Sequence, residues 1–274
     1  MNAARTRLWL AGLALVLTGC VSPVEEARQK DTAETQVALA QAYLQQDDVR
    51  QALPAALKAV ELDPKNVDAY LTLGRIRHME ARWDQALEAY QQALALDPKR
   101  GETYYLIGVV RYQMKDVPGA IEFLRKALAQ PAYLRPQDAH LYLGGIFLDQ
   151  GKMDEALVEF RKAVDVEPEF GPAYNAMGYV LLQQQRPQEA IESLSRAVRF
   201  TPTLVAAYQN LGKAYLQVGK KDEARVNFKK VVELAPADAP MAAEARKALA
   251  DLGGEAAAPA PGAPPAGPSV PAPR

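Results

Sequence analysis

Glycine returns along this chain at an almost fixed interval. The pairs Leu73-Gly74, Ile107-Gly108, Leu143-Gly144, Met177-Gly178 and Leu211-Gly212 set their glycines 34, 36, 34 and 34 residues apart. Twelve residues after each stands an alanine: Ala86, Ala120, Ala156, Ala190 and Ala224. Seven further on comes a second small residue, Ala93, Ala127, Ala163, Ala197 or Val231. Leu39-Ala40, Ala52 and Ala59 carry the series back by one unit, so there are six. A period of this length means one supersecondary unit used repeatedly. Each unit is too small to bury its own apolar face and depends on its neighbours for a core. Small residues at three fixed places let two helices approach closely, and the large residues between them fill the remaining space. Pro64, Pro98, Pro168, Pro202 and Pro236 recur near the unit ends, where a missing N–H stops the second helix.

These positions resemble the tetratricopeptide repeat, a 34-residue helix-turn-helix whose pattern runs from Leu-Gly through Tyr, Ala and an aromatic to a closing Pro. Tyr70, Tyr104, Tyr174 and Tyr208 stand at its fourth position, from which Gln36 and His140 depart; Tyr90, Phe160 and Phe228 stand at its twenty-fourth. The resemblance covers residues 33–238 and implies an all-α chain, a right-handed superhelical solenoid of six helix-turn-helix units. The units read as 33–66, 67–100, 101–134, 137–170, 171–204 and 205–238. Residues 239–252 read as an amphipathic helix capping the last unit. Residues 253–274 are nearly all Ala, Pro and Gly, a composition that cannot pack a core and reads as a disordered or semi-extended tail.

Three irregularities carry expectations. Unit three has Ala132 where the closing proline belongs, with Pro131 and Pro136 beside it, and Arg135 and Pro136 are extra residues before unit four. A longer connection is expected there. Pro54 falls inside the second helix of unit one and should weaken or bend it. Arg77 and Arg111 stand where the pattern has Tyr, and nothing in the spacing explains them.

The amino terminus is different in kind. Arg5 and Arg7 precede an apolar run, Leu8 to Leu17, too short to span a bilayer at roughly 20 residues but suited to a secretory leader. Leu17-Thr18-Gly19-Cys20 follows and resembles a bacterial lipobox. That resemblance implies cleavage of residues 1–19 and lipidation of Cys20, with residues 20–32 as a tether. Two or more acyl chains make a durable anchor. Val21 follows the cysteine, where an Asp would resemble the inner-membrane retention signal of enteric lipoproteins, so the resemblance implies the outer membrane, on its periplasmic face. Cys20 is the sole cysteine, so no disulfide forms within the chain.

Charge and chemistry narrow the function further. Lys and Arg total 32 against 33 Asp and Glu, interleaved without a basic run, so nucleic acid is not an expected partner. Loss of Arg5 and Arg7 with the leader leaves 30 basic against 33 acidic side chains. The two histidines, His78 and His140, are far apart, and no cluster has the spacing of a metal site. Gly145 to Lys152 has one residue too many for a phosphate loop and Met153 in place of the hydroxyl residue. No segment outside the repeats is long enough for a catalytic core. The expectation is a binding protein and not an enzyme, without cofactor, metal or small-molecule substrate.

In the family, set positions of the first helices line a concave groove. Carried over, they give Leu71, Arg75, His78 and Met79 in unit two, and Tyr105, Val109, Tyr112 and Gln113 in unit three. Unit four contributes Leu141, Leu148 and Asp149, unit five Asn175, Tyr179 and Leu182, and unit six Gln209, Lys213 and Leu216. This mixture of tyrosine, aliphatic and neutral polar groups suits an amphipathic or extended apolar segment of a protein partner. About half of the apolar positions are equally suited to packing against the next unit. A lipobox followed by six such units is similar to the type IV pilus-biogenesis lipoproteins, the pilotins PilF, PilW and Tgl. That likeness implies a scaffold that helps a secretin assemble in the outer membrane. The other reading is an adaptor that docks peptidoglycan hydrolases or synthases, as in NlpI-like lipoproteins.

Overall fold

The computed structural model describes residues 23–253. The leader, Cys20 and the Pro-rich stretch from 254 onward lie outside the described residues.

Thirteen α-helices and no strand make up the described chain. They are α1 (Pro23–Gln45), α2 (Val49–Leu62), α3 (Val67–Met79), α4 (Trp83–Leu96), α5 (Gly101–Gln113) and α6 (Val117–Leu128). Then follow α7 (Pro136–Asp149), α8 (Met153–Val166), α9 (Gly171–Gln183), α10 (Pro187–Phe200), α11 (Val205–Gln217), α12 (Lys221–Leu234) and α13 (Pro240–Asp251). Consecutive helices pair as hairpins, α1 with α2 through α11 with α12, and each pair stacks on the next. The result is a helical solenoid closed at its carboxyl end by α13. Ala242, Ala245 and Leu249 of α13 are buried against α12 beside Phe228, Val231 and Val232.

Within each hairpin the periodic glycine meets the large residue sixteen positions on. A Cβ on Gly144 would sit 2.3 Å from the Phe160 ring, and one on Gly74 would sit 2.3 Å from Tyr90. Gly178 stands in the same relation to Leu194, 2.4 Å away, and Gly108 and Gly212 to Leu124 and Phe228. Unit one solves the same contact the other way round: Ala40 replaces the glycine and Ala56 the large residue, both fully buried. One extra methyl on the first helix is offset by a smaller side chain on the second.

The turn between the two helices of each unit passes through one left-handed residue. These are Asp47, Ala81, Lys115, Gly151, Gln185 and Gly219, with φ between 56° and 78°. The following N–H reaches back to the carbonyl five residues earlier, as in Arg82 to Arg77 at 2.8 Å, which satisfies the open helix end. Four of these six residues carry a side chain, so the turn tolerates the steric cost of that conformation.

The irregular places resolve physically. The α6–α7 connection runs through residues 129–135, longer than the four-residue connections 63–66 and 97–100, because two residues are inserted and α6, with 12 residues against 14 in α4, ends early. Helix α2 continues through Pro54 without a break. Arg77 pairs with Glu80 at 2.8 Å, while Arg111 pairs with Asp116 at 2.5 Å and lies 4.9 Å over the Phe123 ring. At the amino end α1 starts at Pro23, so 23–32 of the segment expected to be a tether is helical in this structure. Ten helical residues advance only ~15 Å.

Tyr90 is fully buried and its hydroxyl has no hydrogen-bond partner. Units four and six place Phe160 and Phe228 at the equivalent position. An unpaired buried hydroxyl costs roughly 1–3 kcal/mol. Tyr90→Phe is therefore expected to raise stability by about 1 kcal/mol, seen as a higher thermal midpoint. A lower midpoint would show that the hydroxyl is satisfied.

Candidate partner-binding groove

The inner face follows from which helices touch. First helices of neighbouring units contact one another, α1 with α3, α7 with α9 and α9 with α11. Second helices of neighbouring units do not make comparable contact. The odd-numbered helices therefore crowd together and line the concave side, and the even-numbered ones splay outward. Helix α5 meets its neighbours through side chains, Glu102 with Arg75 of α3, and Tyr105 and Tyr112 with Tyr142 and Asp149 of α7.

The structure divides the expected groove residues. Leu71, Tyr105, Val109, Leu182 and Gln209 are buried, each 8% exposed or less, and are not free to meet a partner. Each is covered by a neighbour. Tyr105 packs against Tyr133 and Tyr142, ring centroids 6.1 and 5.6 Å away, and burial there pushes its hydroxyl pKa well up. Leu71 and Val109 belong to the core shared by α3 to α7, and Leu182 to the core of α8 to α11. Gln209 donates to Glu244 of α13 at 2.5 Å, so the terminal helix covers it.

Another group lies on the surface but is tied across units. Arg75 pairs with Glu102, and Glu102 also receives Arg100, which holds Asp68 at 2.6 Å. The Tyr112 hydroxyl donates to Asp149. Asn210 donates to Asn175 at 3.0 Å, and Lys213 lies 3.7 Å from Glu244. These bonds join consecutive first helices across the concave face. They offer a partner oriented polar groups whose charges are largely matched.

The accessible apolar part is smaller. Met79, Tyr179 and Leu216 are 41%, 42% and 38% exposed, and Leu141, Leu148 and Gln113 are half-buried. His78 lies against Trp83 with ring centroids 5.3 Å apart, and burial lowers its pKa, which keeps it neutral near pH 7. Gly145 adds a feature that the periodicity did not reveal. A Cβ there would meet nothing within 4 Å, so the inner wall has a notch at unit four. The corresponding positions carry Arg75, Val109, Tyr179 and Lys213. The signal was present as a second glycine after Gly144 which the repeat does not need.

Among the described residues no group of three or more His, Cys, Asp or Glu is placed to hold a metal ion, and no helix is long and apolar enough to cross a membrane. What the face can do is bind a chain segment through a few apolar seats framed by fixed polar groups.

Models of the tetratricopeptide repeat match the chain at 33–66, 55–88, 129–172 and 205–238, and a related TPR repeat model matches at 81–115 and 178–219. Together these account for well over half of its length. Comparison with curated proteins gives no match. Among solved structures, the chain is similar to PilW, described as a widely conserved type IV pilus biogenesis factor. The identity is 23%, the TM-score 0.64, and the match covers 73% of this chain and 91% of that one. It is also similar to PilF of Pseudomonas aeruginosa, at 20% identity and TM-score 0.68, covering 79% of this chain and 97% of that one. The Cut9–Hcn1 complex of APC/C aligns as closely in shape, at 19% identity and TM-score 0.68, covering 82% of this chain and 45% of that one. At such identities the likeness is one of fold.

Proposed function

Because the chain belongs to the tetratricopeptide-repeat family, whose members are protein-binding scaffolds, we propose that it is a lipid-anchored scaffold assisting assembly and outer-membrane placement of the type IV pilus secretin. The observation that carries this reading is one of extent. The solenoid spans nearly the whole of PilF and PilW, whereas it spans less than half of the Cut9–Hcn1 chain. A repeat body of that extent behind a lipobox at Cys20 is the architecture such a role needs. The mechanism is non-covalent. Met79, Tyr112, Leu148, Tyr179 and Leu216 offer seats for an extended or amphipathic secretin segment, and the polar ties set its register. Lipid on Cys20 holds captured subunits at one surface, and the raised local concentration favours their association without further contacts.

The test is deletion of the gene, with secretin multimers followed in outer-membrane fractions. Multimers are expected to disappear while monomer persists, and the wild-type gene restores them. Cys20→Ala is expected to leave the protein folded and abolish rescue. Tyr112→Ala with Tyr179→Ala is expected to impair rescue with the anchor intact. Normal multimers in the deletion strain would reject the secretin role and direct attention to cell-wall enzymes as partners.

A further inference from the structure

The residue just ahead of each N-cap at an inter-unit connection stands at the tip of that connection. The five are Lys65, Lys99, Leu134, Glu169 and Thr203, all exposed. Four are polar. Leu134 is 90% exposed, the most exposed large hydrophobic side chain of the described chain. It is held outward from both sides. Tyr133 before it is pinned over Gly101 and lies 6.1 Å from the Tyr105 ring, while Arg135 after it pairs with Asp138 at 2.8 Å. Lys65 and Lys99 make no ion pair among the described residues. The carboxylates beside them, Asp63 and Asp97, turn back to accept the backbone N–H of Lys65 and Lys99 at 2.9 and 3.1 Å.

We propose that this edge rests on the lipid bilayer, with Leu134 inserted at the acyl-chain boundary and Lys65 and Lys99 at the phosphates. The proposal rests on lipid attachment at Cys20 and is separate from any role toward a secretin. Topology gives the first argument. First helices run parallel, so their amino ends and the inter-unit connections share one edge, and the turns within units share the other. Helix α1 begins at Pro23 and projects beyond the connection edge by ~15 Å. Cys20 stands three residues earlier, at most ~11 Å away. The anchor therefore departs from the edge that carries Leu134. Reach gives the second. Three steps between first helices at ~8–10 Å each set Leu134 roughly 24–30 Å from α1, so a tilt of roughly 30° brings it level with the projecting end. Order along the edge gives the third. From the anchored end the tips read Lys65, Lys99, Leu134 and then Glu169. Cations flanking an apolar side chain suit an anionic lipid surface, and Glu169 is repelled by the same phosphates, so contact ends after Leu134. One leucine binds a membrane only marginally by itself, but the anchor makes its insertion an intramolecular step.

The experiment couples the mature chain, residues 20–274, through its sole thiol at Cys20 to a maleimide lipid in vesicles of phosphatidylethanolamine and phosphatidylglycerol. A parallel set of vesicles carries bromines high on the acyl chains, which quench an inserted tryptophan. Trp83, the one tryptophan of the mature chain, follows a turn at the opposite edge and is expected to be unaffected. A reporter at Ala132→Trp, an exposed position in the Leu134 connection, is expected to lose about half its emission, because insertion to ~5–10 Å brings it among the bromines. Adding Leu134→Asp is expected to abolish that quenching with the helical circular dichroism unchanged. Thr203→Trp, on the same edge two connections further on, is expected to stay unquenched. An unquenched Ala132→Trp overturns the proposal, as does quenching indifferent to Leu134→Asp. Equal quenching at Thr203→Trp overturns it too, because the reporter would then be inserting by itself. Palmitate labelling in cells reports on the anchor separately. A Cys20 without label would overturn the anchor and this contact together, whatever the secretin assay gives.

Discussion

Phe160→Ala is expected to destabilise the protein by about 3–5 kcal/mol, among the largest effects of any single substitution in the solenoid. The ring is 1% exposed and fills the space above Gly144 in the middle of the array. It packs with Ala156, Leu157, Val180, Leu181 and Leu194, so it links unit four to unit five as well as closing its own hairpin. In a stack where each unit contacts only its neighbours, a weakened central joint lets the two halves melt apart. One cooperative thermal transition is expected to become two. Gly144→Ala alone is also expected to destabilise, by roughly 1–3 kcal/mol, because its Cβ would meet the Phe160 ring at 2.3 Å. Combining the two changes reverses the sign of the second. With the ring gone, the alanine methyl enters vacated space and the helix gains ~1 kcal/mol over glycine. Unit one, with Ala40 and Ala56, is the natural instance of that combination. Urea titrations of the two single variants and the double variant measure the coupling; strictly additive losses would reject this account of the pair.

This pair also shows why the architecture was legible in the sequence. Gly144 and Phe160 contact one another inside one hairpin, at a fixed separation, and the same contact recurs in five units. A constraint that is local and periodic leaves a periodic trace. Exposure on the concave face has another origin. Tyr105 and Tyr112 lie two turns apart on α5, yet Tyr105 is buried because the lengthened connection brings Tyr133 onto it and α7 presents Tyr142. Gln209 is closed off by Glu244, a residue outside the repeats altogether. Whether a first-helix side chain reaches solvent thus depends on the unit that follows, and no single repeat encodes that. The left-handed turn residues make the same point in reverse. Gly151 and Gly219 mark the turn, but Asp47, Ala81, Lys115 and Gln185 adopt it with no compositional sign. The paired roles of Arg77 and Arg111 likewise emerge only once Glu80 and Asp116 are in place.

Gly145→Leu is expected to separate binding from stability. A Cβ added there meets no atom within 4 Å, so the substitution begins in open space and not in the core. Replacing a helical glycine with leucine improves intrinsic helix stability by up to ~1 kcal/mol, so the thermal midpoint is expected to rise. Partner capture is expected to fall. The notch at unit four lies on the same wall as Leu141, Leu148 and Tyr179, and a partner side chain seated in it would be displaced. Loss of one well-packed apolar anchor corresponds to roughly tenfold or more in affinity. The readouts are thermal melting of the purified chain and its binding to secretin subunits, alongside rescue of multimers in the deletion strain. A variant that melts higher and binds at least tenfold more weakly places the partner over Gly145. Unchanged binding with a raised midpoint would move the contact elsewhere on the face, toward Met79 at one end or Leu216 at the other. A fall in both quantities would mean that Gly145 is a packing residue after all, against the open space observed around it.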